Sequence, residues 1–512
     1  MHFGSTQLLA ACLLVQGLMP GAWPQEVLKP NFAELEARWE SARQTIGLPG
    51  MAIAVVKDDN VSYERGFGYR DLDSKAPFTA NTASYIASVT KTFVTFAVMQ
   101  QVDAGRVDLD RPVKSYLPRF QLADQELTQR ITVRDLLCHR FGLSNWPITF
   151  AEAYTGILND DFFYRELSRT DVKGSWAYSN LHFTLLGRLV EAVTGQSWQH
   201  YLQEHVFLPA VMDHTTARAS ELYAIADHAT PYIWRDGVWR ASSFRKADST
   251  MHAAGGIGSS AHDLALWILL HLNSGALEDR RLLSDAAVTQ ILTAQVKPKS
   301  RYFMFGRKEM GLGWYLGDYK DDLLVHHFGS YAGAHAHVSF MPEHKLGVAV
   351  VTNSDEDMAM LVHLMAADVY DAYLGRTPSR DLGRFVRKMK RGREMANRKM
   401  RELPAHTTAL ALPKSCDAYT GTYLSESWGI LEISRDGDGL AGHDGNFPLS
   451  FYQDDRGDVV ADTPLGNFQV EFIDGTEGGI AGIHIVMSGE ATMSFYRCLG
   501  GPNTATKRKS AE

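Results

Sequence analysis

The chain has 512 residues, of which 45% are hydrophobic and 21% are charged. This is an ordinary globular composition, and it excludes disordered, fibrous and collagen-like classes. A chain this long exceeds one hydrophobic core, so two or three domains are expected. The formal net charge of -8 gives no cationic surface for nucleic acid, which excludes that class of partner.

The amino-terminal segment differs from the rest of the chain. Leu8 to Met19 is almost wholly apolar, which suits a signal peptide and is too short to span a bilayer. The start carries His2 but no Lys or Arg, and Leu9 to Cys12 resembles a lipid-attachment box that lies unusually early. We expect residues 1–22 to be a signal peptide and the protein to be periplasmic or secreted. A lipid anchor and an uncleaved start are the alternatives.

Residues 32–375 alternate strand-like and helix-like patterns, which predicts an α+β domain. The predicted elements, in chain order, are a hairpin of Met51–Val56 with Val61–Arg65, a helix over Ser88–Gln101, a helix over Leu181–Val193 ended by Gly195, and a strand pair of Ala336–Phe340 with Leu346–Val351.

The composition changes between Arg380 and Arg401, a stretch that contains ten basic residues and only two acidic ones. This stretch is typical of a membrane-surface or partner-binding helix, or of a solvated linker helix, and we predict a basic linker over 376–414. Residues 415–500 then show short alternating segments between Gly-rich turns, which predict an all-β barrel-like domain.

Four cysteines are present, and no pair has metal-ligand spacing. Cys416 and Cys498 bracket the predicted β-domain, whose first and last strands should be neighbours. We therefore predict a Cys416–Cys498 disulfide in an exported chain, with Cys138 a buried thiol. Two unrelated thiols are the alternative.

The predicted helix at residue 88 opens with Ser88-Val-Thr-Lys91. Residues three apart share a helix face, so the Lys91 amine can lie beside the Ser88 hydroxyl. Free N–H groups at a helix start can stabilise an oxyanion. The same spacing occurs in penicillin-recognising enzymes, although a Ser N-cap followed by a surface Lys gives the same pattern.

Two further short motifs follow, and each is weak by itself. Tyr178-Ser-Asn180 precedes the predicted helix at Leu181, where a tyrosine could simply pack. His327-Phe328-Gly329 lies near the end of the domain, where a satisfied buried histidine is equally compatible.

In this order, the three motifs resemble those of the class C β-lactamase and DD-peptidase-like serine hydrolases. Further segments carry the resemblance over residues 32 to 370: Gly47–Arg70, Ile131–His139 with Gly142-Leu143, Ala254–Gly256 and Phe340–Glu343. The resemblance implies an antiparallel sheet flanked by helices, with a helical subdomain. The β-rich tail is similar to the barrel of D-aminopeptidase-type peptidases.

The resemblance also implies roles for the motif residues. Ser88 would attack a carbonyl, with Lys91 and Tyr178 sharing the proton. A free lysine titrates near 10.4, so a neutral amine at pH 7 needs its pKa lowered by about 3, or roughly 4 kcal/mol. We expect burial and a nearby cation to lower it, and the resemblance places His327 on the strand that lines the site.

The remaining implied roles concern binding. The backbone N–H groups of Ser88 and Ser330, beside Gly329, would form the oxyanion hole, and Asn180 would orient substrate or Lys91. No cofactor is implied. His335 and His337 share one face of a strand, but no third ligand is visible, so we predict no metal site.

Phe328 stands where β-lactam-acting relatives usually carry Thr or Ser. We expect its ring to select substrates held by apolar groups, aided by Trp146, Phe150 and Tyr154 if that loop lines the cleft. The alternative is that Phe328 points into the core behind its strand.

The predicted activity is hydrolysis of amide bonds in short or unusual peptides. A carboxylesterase is the alternative, with β-lactamase or DD-carboxypeptidase activity less favoured, and a catalytically silent binding protein is the non-enzyme alternative. The expected partner is a small-molecule or short-peptide substrate, with no transmembrane span.

Overall fold

The computed structural model describes residues 30–498, apart from 236, 299, 355, 379–380, 403–409, 411, 455, 477–478 and 488–491. The predicted leader, with Cys12, lies outside the described residues, as does Arg380. Within the described part, no helix is long and apolar enough to cross a membrane.

The helices, in chain order, are α1 (Phe32–Ile46), α2 (Thr90–Asp103), α3 (Gln125–Arg130), α4 (Val133–Leu137), α5 (Trp146–Phe150), α6 (Asp160–Leu167), α7 (Asn180–Thr194), α8 (Trp198–Leu202), α9 (Ala219–Ala224), α10 (Ala261–Leu272), α11 (Asp285–Ile291), α12 (Glu356–Tyr373), α13 (Leu382–Glu402) and α14 (Cys416–Tyr419). Short 3₁₀ turns cover Ala87–Val89, Val113–Ser115, Asp248–Thr250 and Pro342–His344, and π-helical turns cover Ala151–Thr155 and Gln203–Phe207.

The strands, in chain order, are β1 (Gly50–Lys57), β2 (Asn60–Asp71), β3 (Ala76–Pro77), β4 (Ser84–Tyr85), β5 (Gly142–Ser144), β6 (Asp171–Lys173), β7 (Tyr232–Arg235), β8 (Val238–Ala241), β9 (Gly258–Ser259), β10 (Ala276–Leu277), β11 (Arg280–Arg281), β12 (Ser300–Tyr302), β13 (Phe305–Arg307), β14 (Glu309–Met310), β15 (Tyr315–Tyr319), β16 (Asp322–Tyr331), β17 (Ala334–Met341), β18 (Leu346–Thr352), β19 (Gly421–Ser425), β20 (Gly429–Asp436), β21 (Gly439–Asp444), β22 (Phe447–Gln453), β23 (Val459–Thr463), β24 (Gly466–Asp474), β25 (Ile480–Val486) and β26 (Thr492–Arg497).

The central sheet has eight strands in the order β14-β15-β16-β17-β18-β1-β2-β3. Both predicted strand pairs are confirmed: β1 pairs with β2, and β17 pairs with β18, each antiparallel. The first strand also pairs with the last, with Met51 opposite Thr352. The expected α+β class, with helices on the faces of an antiparallel sheet, is therefore confirmed.

Strand β1 is a continuous apolar run because both faces of the sheet are covered. Its alternate side chains enter two different cores. Ala52, Ala54 and Val56 join the core that contains α2, α7 and α10, whereas Met51, Ile53 and Val55 join the core that contains α1 and α12. Helix α2 lies inside the first core, and its residues from Thr90 to Met99 are all buried.

The tail forms a closed eight-stranded antiparallel barrel, β19 to β26, as predicted. Strands β19 and β26 are neighbours, with Tyr423 opposite Arg497. The predicted disulfide is nevertheless wrong, because Cys416 and Cys498 are free thiols. Cys416 lies on α14, before the first strand, and its thiol faces the Asp438 carbonyl at 3.5 Å. Cys138 is a buried thiol, as expected, and burial raises its pKa to about 11.

Helix α13 is the predicted basic helix. Leu382 and Val386 are buried in the core beside α1 and α12, with Phe385 and Met389 packed against them. This apolar face is covered by protein and is not available to a membrane surface. The exposed side chains between residues 384 and 391 are basic: Arg384, Arg387, Lys388, Lys390 and Arg391.

Burial of a neutral histidine makes the free energy of unfolding depend on pH. His271 on α10 is a suitable residue for measuring this dependence. Its ring lies among Trp267, Trp314 and Phe340, and burial lowers its pKa to about 4. An unfolded histidine titrates near 6.5. The contribution of neutral His271 to stability is therefore full above about pH 6.5 and is lost as the pH falls toward 4.

We predict that His271→Phe, which keeps an aromatic ring in this cage, flattens the acid side of the stability curve. Over this pH window the free energy of unfolding should fall less steeply than in the parent, by up to about 1.4 kcal/mol per pH unit. Urea unfolding at a series of pH values measures the slope. The exposed His200, as His200→Phe, is the control and should keep the parental slope. Equal slopes for the parent and His271→Phe would contradict the prediction.

Candidate functional site

Ser88 lies in the 3₁₀ turn Ala87–Val89, and α2 begins two residues later, at Thr90. The predicted helix therefore starts slightly late, and Ser88 precedes it. Ala87 adopts a left-handed backbone with φ 45°, which is unfavourable for a residue with a Cβ. The Ile86 N–H donates to the Ile257 carbonyl at 3.0 Å and fixes the start of the turn. Ser88 is half-buried between buried neighbours.

Lys91 points from the first turn of α2 into the site and is fully buried. Its Nζ lies 3.3 Å from Ser88 Oγ, and it donates to Asn180 Oδ1 at 2.8 Å and to the Ala254 carbonyl at 2.6 Å. The structure thus brings Ser88, Lys91 and Asn180 together. The Ala254 carbonyl was not identified from the sequence, because a backbone acceptor has no side-chain signature.

Burial lowers the pKa of Lys91 well below its ordinary value, while the negative charge of Glu152 acts in the opposite direction. The expectation that a His327 cation contributes is wrong. Burial, with the Lys91 charge as the next cause, lowers the pKa of His327 to about 3. Its Nδ1 lies 2.9 Å from the Phe328 carbonyl, which only accepts, so Nδ1 carries the proton and the imidazole is neutral. Its Nε2 has no hydrogen-bond partner among the described residues.

Tyr178 covers the Lys91 amine, with its ring centroid 4.8 Å from Nζ. The residue keeps 39% of its surface exposed. Protein atoms crowd its hydroxyl, and this burial raises the phenol pKa, whereas hydrogen bonding with Ser88 lowers it. The ring packs on His139, at 4.8 Å between centroids, and the next residue, Ser179, donates to the Leu143 carbonyl at 2.6 Å. Tyr178 is held in place just before α7.

Gly329 allows β16 to pass against the turn that carries Ser88. A Cβ at this position would lie 2.0 Å from the Ile86 carbonyl oxygen and 3.0 Å from the Ser88 nitrogen. Only glycine fits such an approach. The contact brings Gly329 beside the backbone of Ser88, and Ser330 follows it with an exposed side chain.

Phe328 does not join the site, so the expectation that its ring selects substrate is wrong. Successive side chains of a strand point to opposite faces, and His327 lies on the face of the site, with its ring centroid 6.4 Å from that of Tyr178. Phe328 therefore enters the core behind the sheet, where it is 6% exposed and stacks on His337 at 4.6 Å. The alternative that placed it behind the strand is correct.

A cavity of about 190 Å³ adjoins Tyr178 and Asn180 and is lined also by Leu143, Trp146 and Lys173. Trp146 is 48% exposed. The other two aromatic residues of this loop do not reach the cavity. Phe150 is buried in the barrel core and Tyr154 packs against that core.

Arg307 on β13 is a cation that the sequence motifs did not reveal. Its guanidinium lies 4.1 Å from the Tyr315 ring centroid. The Tyr315 ring in turn lies 5.7 Å from the His327 ring, between centroids, and the Arg307 charge lowers the pKa of both His327 and Tyr178. Within the part of the chain that the structure describes, Arg307 forms no ion pair.

His335 and His337 meet a third histidine, His363 on α12, in the core behind the sheet. His363 Nε2 lies 2.9 Å from His335 Nε2, and its Nδ1 lies 2.8 Å from His337 Nδ1. The nitrogens thus pair with one another rather than converge on one point. Among the described residues, no group of three or more His, Cys, Asp or Glu could hold a metal ion.

A hydroxyl beside a desolvated amine, with a tyrosine and backbone N–H groups around it, can perform nucleophilic attack on a carbonyl. Solved structures with the same fold include the octameric penicillin-binding protein homologue from Pyrococcus abyssi, with a TM-score of 0.60 and 22% identity over 91% of this chain and 100% of that chain. The D-amino acid amidase from Ochrobactrum anthropi SV3 has a TM-score of 0.56 and 22% identity over 67% of this chain and 99% of that chain.

Sequence comparison gives relatives of the same kind. Penicillin-binding protein 4 of Amycolatopsis lactamdurans is 26% identical over 63% of this chain and 85% of its own length. Protein flp of Staphylococcus aureus strain MW2 is 24% identical over 60% of this chain, and the match spans 60% of the length of Protein flp. A family model described as Beta-lactamase matches residues 35–372. The chain therefore belongs to the Beta-lactamase family.

Proposed function

We propose that the protein hydrolyses amide bonds of short or unusual peptides through an acyl-enzyme on Ser88. One observation carries this proposal: the Lys91 amine is fully buried and lies 3.3 Å from the Ser88 hydroxyl. Burial disfavours the ammonium form and lowers the pKa of Lys91, which favours the neutral amine that a base requires.

A neutral Lys91 amine can satisfy all three of its hydrogen-bond contacts. A neutral amine has two N–H donors and one lone pair. Asn180 Oδ1 and the Ala254 carbonyl can only accept, and they use both donors. The lone pair is left for Ser88, the only one of the three contacts that can donate. Lys91 takes the Ser88 proton as Oγ attacks the carbonyl carbon.

Tyr178 completes the proton path. Its raised pKa keeps the phenol protonated at neutral pH, so it can donate to the leaving nitrogen and regain the proton from Lys91. The N–H groups of Ser88 and Ser330 stabilise the oxyanion. Water then hydrolyses the acyl-enzyme, and the neutral His327, with its free Nε2, is available to accept a hydrogen bond beside the site.

Arg307 favours peptides over neutral esters. A half-buried guanidinium beside His327 and Tyr178 can bind the free carboxylate of a short peptide. The family likeness to a named D-amino acid amidase and to penicillin-binding proteins is compatible with amide substrates. A periplasmic or secreted location remains a prediction.

The first functional prediction concerns the nucleophile. Ser88→Ala should abolish covalent labelling by a small fluorophosphonate. It should change the free energy of unfolding by only about 1 kcal/mol, because one hydroxyl is removed at a helix start. Mass spectrometry of the labelled parent should find the adduct on the peptide that carries Ser88. Ser41→Ala, at an exposed serine on α1, is the control and should label as the parent does. An adduct on any other serine would falsify the assignment, and an absence of labelling in the parent would favour a silent binding protein.

The second functional prediction concerns the substrate. A dry cavity of roughly 150 Å³ is known to hold benzene, so the cavity beside Tyr178, at about 190 Å³, has room for one aromatic or large aliphatic side chain. Trp146 offers it an exposed indole face. We expect phenylalanyl p-nitroanilide to be a better substrate than glycyl p-nitroanilide. Trp146→Ala should reduce this kcat/KM ratio by about tenfold, or roughly 1.4 kcal/mol.

Tyr496→Ala removes a comparably exposed ring from the barrel and is the matched control, with an unchanged ratio expected. Nitrophenyl esters of the same acyl groups distinguish an esterase, which would cleave them while leaving the anilides intact. An unchanged ratio in Trp146→Ala would show that the substituent binds elsewhere.

A further inference from the structure

We propose that Glu152 is a positioning residue: its carboxyl group binds one of the two chain segments that hold the Lys91 amine and packs against the other. The proposal rests on the proposed role of Lys91 as the base. Glu152 lies on the π-helical turn Ala151–Thr155 and is 9% exposed. The sequence motifs did not single it out.

The first tie runs to α7. Thr184 donates from Oγ1 to Glu152 Oε2 at 2.6 Å. Thr184 lies one helical turn after Asn180, and its hydroxyl also lies 3.4 Å from the Asn180 carbonyl. Since Asn180 Oδ1 accepts from Lys91, Glu152 holds the start of α7 where this acceptor must be.

A second, looser contact runs to the segment that supplies the other acceptor. His252 Nδ1 lies 3.6 Å from the same Glu152 oxygen, beyond hydrogen-bond distance, so the imidazole packs beside the carboxyl. His252 is two residues before Ala254, whose carbonyl accepts from Lys91. Ala254 lies inside a tight turn that His252 begins, because the Gly255 N–H donates to the His252 carbonyl at 2.9 Å. A shift of His252 is therefore transmitted to the Ala254 carbonyl.

A hydrogen bond to the barrel anchors the turn that carries Glu152, and nearby charged groups interact with its carboxyl. The last residue of its turn, Thr155, accepts from the Asn446 N–H of the barrel at 3.0 Å. Lys91, Lys246, Arg188, His252 and Tyr85 are the titratable or charged groups around the carboxyl. Burial raises the pKa of Glu152 to about 7, and the Lys246, Arg188 and Lys91 charges act against this effect. Its anion in turn favours the Lys91 ammonium.

Two substitutions distinguish the positioning effect of the Glu152 side chain from the effect of its negative charge. Glu152→Ala removes the hydrogen bond to Thr184 and the contact with His252. We expect the rate of Ser88 labelling by a small fluorophosphonate to fall about 10- to 100-fold, since misplacing a catalytic group by an ångström has effects of that order. Glu152→Gln keeps an oxygen that accepts from Thr184, so it should restore most of the rate. Because it removes the anion that favours the ammonium, the pH at which labelling is half-maximal on the acid side should shift downward.

A third variant keeps the proposal testable if Glu152→Ala fails to fold. Thr184→Val keeps the shape of the side chain but removes the hydroxyl that Glu152 binds, so labelling should slow without loss of the Glu152 side chain. The matched control is Glu166→Ala. Glu166 is another buried glutamate, 3% exposed, which pairs with Arg165 and Arg169 instead of the site. Its labelling rate and pH midpoint should match the parent, even if Tm falls.

The outcomes are distinguishable. If the parent is not labelled at Ser88, the proposed function fails. If the parent is labelled, and folded Glu152→Ala and Thr184→Val react at the parental rate with the parental pH midpoint, only the role of Glu152 is overturned. Slower labelling of both, with rescue by Glu152→Gln, supports the positioning role.

Discussion

The burial of the Lys91 amine away from solvent is the constraint on which the site depends. An isolated ammonium buried in a protein is strongly unfavourable, so the group must be neutral or paired. Lys91 has no carboxylate within ion-pair distance among the described residues, but it has two acceptors that saturate the donors of a neutral amine. Helix α2 is accordingly buried on every side, and the start of α7 and the turn at Ala254 converge on one nitrogen.

The sheet supplies the other wall of the site. The short distance between the backbone of β16 and the backbone of the Ser88 turn limits which residue can occupy this wall. Strand β16 approaches the Ser88 turn so closely that a side chain at Gly329 would overlap the Ile86 carbonyl. The same strand sends His327 toward Lys91 and Phe328 into the opposite core. One strand therefore serves both the site and the packing between the sheet and α12.

The sequence predicted the parts of this arrangement that depend on local spacing. Ser88 and Lys91 meet because a three-residue separation places them on one face, and β1 with β18 were recognisable as apolar runs. The position of Phe328 was predicted wrongly, although strand alternation places its ring behind the sheet once His327 is assigned to the site. By contrast, the Ala254 carbonyl, Arg307 and Glu152 come from distant segments, and no periodicity relates them to Lys91. Cys416 misled the prediction because neighbouring strands do not fix the direction of a thiol on the helix before them.

The barrel packs against the residues that form the walls of the site. Phe447, at the start of β22, lies 4.9 Å from Phe150, and Tyr154 stacks at 5.7 Å on Tyr331 at the end of β16. Because Tyr331 is two residues beyond Gly329, one aromatic cluster links the barrel to the strand that flanks Ser88. The π-helical turn of Glu152 is held in the same contact. Phe150 and Tyr154 thus form the contact between the barrel and the domain that carries Ser88. Trp146 is left as the aromatic side chain of this loop that faces the cavity.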